Sequence, residues 1–197
     1  MAEFLRDVDD YFGERDLTIE FTEKPSIKDE LISAGWSDFD ETVWLAHAGV
    51  FPATPPVDIE RVGDTTLEQF ARMKLQSFGE TEDEPDASTL AVEMSMRKVE
   101  LRGDGRGLLA KADGEATAMC AYYSGEDHFV FLLGTRIPFR GRGIASAVLH
   151  QIVDDAHASR ARSVIINARA GGRPESLYKN LGFTDEVYRQ WRFRSPS

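Results

Sequence analysis

The sequence predicts an α/β (α+β) fold: a mixed sheet in which an antiparallel meander switches to parallel pairing, with helices on both faces. Three observations carry that expectation. The runs "GLLAKA", "EATAMCAYY" and "HFVFLLGTR" follow one another across tight turns, and the Asp113-Gly114 pair between the first two is a strong hairpin signal. The stretch that follows puts Ile144, Val148, Leu149, Ile152 and Ala156 on one face of a helix. "SVIINA" then reads as a buried strand, and strand, helix, strand implies a right-handed parallel crossover.

The remaining elements fall into place around these. "VDIERV", from Val57, alternates as a strand does. "GDTTLEQFARMKLQSFG" then reads as a helix with a Thr65/Glu68 capping box, apolar Leu67, Phe70, Ala71 and Phe78, and a stop at Gly79. An acidic loop, "ETEDEPDA", leads to a second helix running from a Ser88 cap towards Gly103. After the crossover come a short helix at "PESLYKN", a stop at Gly182 and the alternating "EVYRQWRFR".

The first 56 residues resemble the last thirty. "SIKDELISAGW", 26–36, matches "RPESLYKNLGF", 173–183; each window ends in Gly and an aromatic, with a tryptophan eight residues on, Trp44 or Trp191. A short strand precedes each window, "TIEF" or "IINA", so residues 1–56 are expected to form a partial repeat of the C-terminal half, with residues 57–197 as the main domain. Leu31 stands in the first copy where Tyr178 stands in the second.

Composition narrows the classes of function. At 197 residues the chain accommodates one good-sized core, or a core with an appended subdomain. A formal charge of -11 disfavours nonspecific binding to nucleic acid or to an anionic membrane. There is no apolar run of membrane-spanning length, and "MAEFLRDVDD" is acidic where a leader would be basic, so the expected location is cytoplasmic. The lone Cys120 excludes an internal disulfide and comes with no His/Cys cluster; no metal is expected. A homodimer is left open.

The chemistry concentrates in "FRGRGIAS", residues 139–146, at the joint between a strand and a helix. A helix start exposes unpaired N–H groups and partial positive charge, and so can hold an anion. Gly141 and Gly143 let backbone approach a ligand, Arg140 and Arg142 add donors suited to phosphate, and Ser146 adds a hydroxyl in the first turn. No G-x-x-x-x-G-K-[ST] string exists here. The glycine spacing also misses the dinucleotide fingerprint, and the stretch from Ala156 to Pro174 offers no acid for a ribose.

Arg140, Gly143 and Ala145 do fit the [QR]-x-x-G-x-[GA] loop of the GNAT superfamily of N-acetyltransferases, which the chain resembles from about Val57 to its end. "SLYKNLGF", 176–183, resembles that family's late L-Y-x-x-x-G-F signature, and the order of elements is similar too. The resemblance implies acetyl-CoA as cosubstrate, lying where "HFVFLLGT" and "SVIINA" splay apart. It implies that Leu133, Gly134 and Thr135 pair with the pantetheine arm and that the backbone from Arg140 through Ile144 to Ala145 wraps the pyrophosphate. A bulge near the end of that strand would aim an N–H at the thioester oxygen. Tyr178 matches the tyrosine that serves the leaving thiolate, and Asn167 could bond the cofactor's amides; Gly171 stands where the family often has Asn. An attacking ammonium must lose a proton, and Glu126, Asp127 and His128 are the positional candidates, with Glu126 and His128 favoured. The expected function is transfer of an acetyl group to a primary amine of a small molecule or peptide. The alternative is a non-catalytic acyl-CoA-binding module used for sensing or assembly.

Overall fold

A computed structural model describes residues 18–21, 28–79 and 84–194. In chain order its elements are β1 (Thr18–Phe21), α1 (Lys28–Ser33), β2 (Ser37–His47), β3 (Asp58–Arg61), α2 (Leu67–Phe78), α3 (Ala87–Glu100), β4 (Gly105–Ala112), β5 (Glu115–Ser124), β6 (Asp127–Thr135), α4 (Ile144–Ser159), β7 (Ser163–Arg169), α5 (Arg173–Asn180) and β8 (Phe183–Arg194). Part of the acidic loop, residues 80–83, and the first residues of the 26–36 window lie outside the described residues. No described helix is long and apolar enough to cross a membrane. The chain packs as two compact units, one comprising residues 46–166 with 181–184 and the other residues 1–45, 167–180 and 185–197.

In the larger unit the strands lie in the order β3-β4-β5-β6-β7. The first four pair antiparallel, and β6 pairs with β7 in parallel. The β4–β5 hairpin turns on Asp113 and Gly114, whose φ angles of 55° and 81° are those of the primed turn that matches strand twist. Because side chains alternate across a strand, β5 sends Met119 and Ala121 to one face and Tyr122 to the other. Met119 and Ala121 join Phe70 and Met73 of α2 and Leu109 of β4 in one buried cluster. The Tyr122 hydroxyl donates to Asp155 of α4 at 3.0 Å, which marks the second face. On that second face Cys120 is fully buried, and burial pushes its thiol well above the usual range, so it is an inert apolar filler.

Two helix starts differ from expectation. α2 begins at Leu67 with Thr66 at its cap, and the Thr66 hydroxyl accepts from the Gly63 N–H at 2.9 Å. The expected Thr65/Glu68 box does not form; Glu68 instead pairs with Arg72 one turn on, at 2.8 Å. α3 is capped by Asp86 rather than Ser88, because the longer reach of the carboxylate lets it accept from both the Ser88 and Thr89 N–H groups, at 2.9 and 3.0 Å.

The smaller unit holds strands in the order β1-β8-β2-β7. Exchanging β1 with β7 and β2 with β8 reproduces that order read from the other edge. β1 runs antiparallel to β8, from Thr18↔Arg194 to Phe21↔Trp191. Arg189 and Arg192 of β8 pair with Glu41 and Asp40 of β2, and Trp44 meets Tyr188 edge-on at 5.6 Å. Leu31 of α1 and Tyr178 of α5 are both buried.

Candidate active site

β6 sets the site's geometry. Against β5 its register jumps: Ala121 faces Leu132 while Tyr122 faces Val130, so Phe131 is an extra residue, a β-bulge. Against β7 the parallel register covers Asp127↔Ser163 to Val130↔Ile166, and Phe131 to Thr135 extend beyond it. Leu133, Gly134 and Thr135 pair on their other edge with Cys120, Met119 and Ala118. Gly134 is required by a close approach, since a Cβ there would lie 2.7 Å from the Ser77 Cβ and 2.8 Å from the Phe78 ring at the end of α2.

A short 3-10 turn, Ile137–Phe139, leads from β6 to the glycine loop. The Arg140 N–H donates to the Ile137 carbonyl at 3.2 Å, so this amide is used within the turn. Its guanidinium donates from Nε to the Thr135 carbonyl at 3.0 Å and from an Nη to the Ser77 carbonyl at 2.9 Å. Arg140 therefore ties the end of β6 to the last turn of α2, where carbonyls lack helical partners and a cation is favoured. Arg136 and Arg142 both stack on Phe139, with guanidinium carbons 5.4 and 5.0 Å from the ring centre.

Gly141 and Gly143 then take left-handed φ angles of 78° and 77°, and Gly143 caps α4 without a side-chain hydrogen bond. The first α4 amide bonded within this end is that of Ala147, to the Gly143 carbonyl at 3.0 Å. The amides of Ile144, Ala145 and Ser146 precede it and point out of the helix end, as helix geometry requires. There is no acid in the first turn. An uncapped helix start, two glycines in the left-handed region, and cations on the flank together suit a pyrophosphate.

The other expected residues are distributed as follows. Glu126 lies in the turn before β6 and His128 is the strand's second residue; from His128 to Thr135 is seven residues, roughly 23 Å of strand. The structure does not bring them to the loop. Glu126 is exposed and pairs with Arg162 at 3.2 Å, and Asp127 pairs with the same Arg162 at 2.7 Å. His128 is buried, its ring 5.4 Å from that of Tyr122 and its Nε2 3.5 Å from the Ser159 hydroxyl at the far end of α4. Burial holds its pKa below the usual histidine value, against the opposing pull of Asp155. Tyr178 is buried on α5 and Asn167 is half-buried on β7, both in the smaller unit. Gly171 has φ 69°, and its N–H donates to Glu175 at 2.6 Å, so a carboxylate secures this turn. Glu175 in turn pairs with Lys179 at 2.6 Å, and these hydrogen bonds hold its carboxyl below the usual range.

Two features had no local signal in the sequence. Phe131, the bulge residue, stacks on Tyr123 of β5 with ring centres 4.6 Å apart. Phe139 is read easily as a loop aromatic, but its role as the shared platform for Arg136 and Arg142 emerges only from the turn that folds the three together.

Comparison with known proteins agrees with this geometry. Among curated proteins no relative matches. Among solved structures, a conserved protein of unknown function from Staphylococcus epidermidis superposes with a TM-score of 0.73 at 13% identity, over 100% of this chain and 78% of its own. A GCN5-related N-acetyltransferase from Sphaerobacter thermophilus gives 0.70 at 18% identity, over 98% and 66%. A predicted acetyltransferase from Clostridium acetobutylicum, solved with acetyl-CoA, gives 0.52 at 17% identity, over 67% and 92%. At these identities the likeness is one of fold. The family model described as the acetyltransferase (GNAT) family matches residues 67–183, from the start of α2 through the glycine loop to the start of β8. The chain belongs to the GNAT family of acetyltransferases.

Proposed function

We propose that the protein is an N-acetyltransferase that moves the acetyl group of acetyl-CoA to a primary amine of a small molecule or peptide by direct attack. One observation carries the reading: β6 runs past its parallel register with β7 and delivers the chain into a helix start that no side chain caps. The residues present fit the cofactor. The amides from Gly141 to Ser146 would hold the pyrophosphate, and Leu133, Gly134 and Thr135 would meet the pantetheine arm as an added strand. Acetyl-CoA would supply an activated thioester carbonyl, and an amide at the Phe131 bulge would stabilise its oxyanion.

Two proton transfers accompany the chemistry. Tyr178 is assigned to the leaving thiolate, with Asn167 as a contact to the arm. The proton lost by the ammonium is assigned to water rather than to Glu126 or His128, because one is paired with Arg162 and the other is packed against Tyr122. That same placement favours a second reading, an acyl-CoA-binding module without turnover. Residues 1–56 are read as a partial repeat of the C-terminal half, a reading supported by the symmetric strand order of the smaller unit.

Mixing the purified protein with acetyl-CoA and a panel of amines, and following free thiol, tests both readings. Thiol release that depends on an amine supports the transferase. Binding of acetyl-CoA without release across the panel favours the module. Absence of binding overturns both.

A further inference from the structure

Between β2 and β3 the chain runs uncharged from Ala48 to Val57, "AGVFPATPPV", in a protein with 34 acidic residues. Its contacts within the larger unit form a continuous path. The Ala48 N–H donates to the Gly182 carbonyl at 2.9 Å. The Phe51 ring stacks on His47 at 5.6 Å and lies parallel to His150 of α4, 4.9 Å away and tilted by only 2°. It also meets Phe183 edge-on at 6.4 Å. The Thr54 hydroxyl lies 3.2 Å from His150 Nδ1. One residue later, the Pro55 ring closes the free side of Gly143: a Cβ on that glycine would lie 3.0 and 3.1 Å from the proline's Cδ and Cγ.

We propose that residues 48–57 form a strap that holds the glycine loop in its coenzyme-binding shape, with Phe51, Thr54 and Pro55 as positioning residues and His150 as their anchor on α4. The inference rests on the reading that this loop takes the pyrophosphate of coenzyme A. A loop with glycines at 141 and 143 loses more conformational freedom on binding than any other sequence would, and that loss subtracts from affinity. A wall against Gly143 removes alternative conformations before the ligand arrives. Prolines at 52, 55 and 56 stiffen the strap and keep it extended, so a hold at His150 is transmitted to Pro55. The absence of acids matters equally, since a carboxylate at this position would repel the pyrophosphate.

The test compares calorimetric binding of coenzyme A with that of pantetheine, which has the same arm and no pyrophosphate. The proteins compared are the wild type, Phe51→Leu, Pro55→Gly and His150→Phe. Pro55 is exposed, so its replacement leaves the core untouched. Phe51→Leu and Pro55→Gly are expected to weaken coenzyme A about tenfold and leave pantetheine unchanged. His150→Phe retains a ring beneath Phe51 and loses the Thr54 bond and the 3.9 Å approach to Asp154 on the exposed side of α4, so it is expected to weaken coenzyme A less than threefold. Coenzyme A binding unchanged in Pro55→Gly overturns the strap, as does an equal loss for both ligands in the two variants. A wild type that binds coenzyme A no better than pantetheine removes the underlying reading of the loop, and the strap falls with it.

Discussion

The starts of α3 and α4 face the same physical problem and meet it in opposite ways. Each leaves amides without helical acceptors. At α3 the chain supplies its own anion: the Asp86 carboxylate accepts from the Ser88 and Thr89 hydroxyls and amides, and these bonds, the hydroxyls foremost, hold its pKa well below the ordinary value. At α4 the chain places Gly143 at the cap, no acid in the first turn, and arginines at 136, 140 and 142 nearby. One helix start is closed by its own carboxylate; the other is left open, as the proposed pyrophosphate site requires. In a chain of net charge -11, leaving one such end without a carboxylate is a specific provision.

The largest effect should come from giving α4 what α3 has. Gly143→Asp puts a side chain at φ 77°, against Pro55, and a carboxylate at the helix start. Affinity for acetyl-CoA by calorimetry is expected to fall at least a hundredfold; an unchanged affinity would sink the reading of the loop.

A smaller effect is expected on the flank. Phe139→Ala leaves Arg136 and Arg142 charged but without their common platform, and each exposed stack is worth about 0.5–1 kcal/mol. Acetyl-CoA affinity should drop by about tenfold or less. A loss as large as that of Gly143→Asp would mean that the loop grips by charge more than by backbone shape.

The smallest effect on binding belongs to the closed end. Asp86→Ala should lower Tm at neutral pH and leave acetyl-CoA affinity unchanged. The sign with pH follows from the depressed carboxyl: its contribution is full above the ordinary value near 3.8 and is lost as pH falls below it. Scanning calorimetry of wild type and variant should therefore show a Tm gap at pH 7 that closes below pH 3.8. A gap that persists in acid would show that the carboxylate is not what stabilises this helix start.

Legibility in the sequence divided along the range of the interactions. Helices and strands were readable because their apolar periods are local, as was the loop, because Arg140, Gly143 and Ala145 stand within six residues. The cap of α3 was misread by two positions, since "DAST" offers an Asp, a Ser and a Thr within one turn and only the geometry picks Asp86. Glu126 and His128 are legible as neighbours of β6, one in the turn before it and one in the strand, but their pairing with Arg162 and packing on Tyr122 join residues far apart in sequence. The Phe51–His150 stack joins residues 99 positions apart and leaves no trace in either neighbourhood. Arg140 belonged to a motif whose spacing was plain, whereas its hold on the Thr135 and Ser77 carbonyls required the fold.

The extra residue in β6 has a consequence of parity. Before Phe131 an even-numbered residue, His128, faces α4, where it meets Ser159. After it the even residues face the opposite way: Leu132 packs on the cluster around Phe70, and Gly134 lies under Ser77 and Phe78. A single inserted position thus reverses which numbers look up and which look down for the rest of the strand. If the same chain ran on from Val130 in regular pairing, Leu133 would face Met119 and arrive beneath Ser77, where even one methyl group has no room. The helix end that now receives Arg140 could then not approach the strand, and the loop would lose its footing from a change eight residues before it begins.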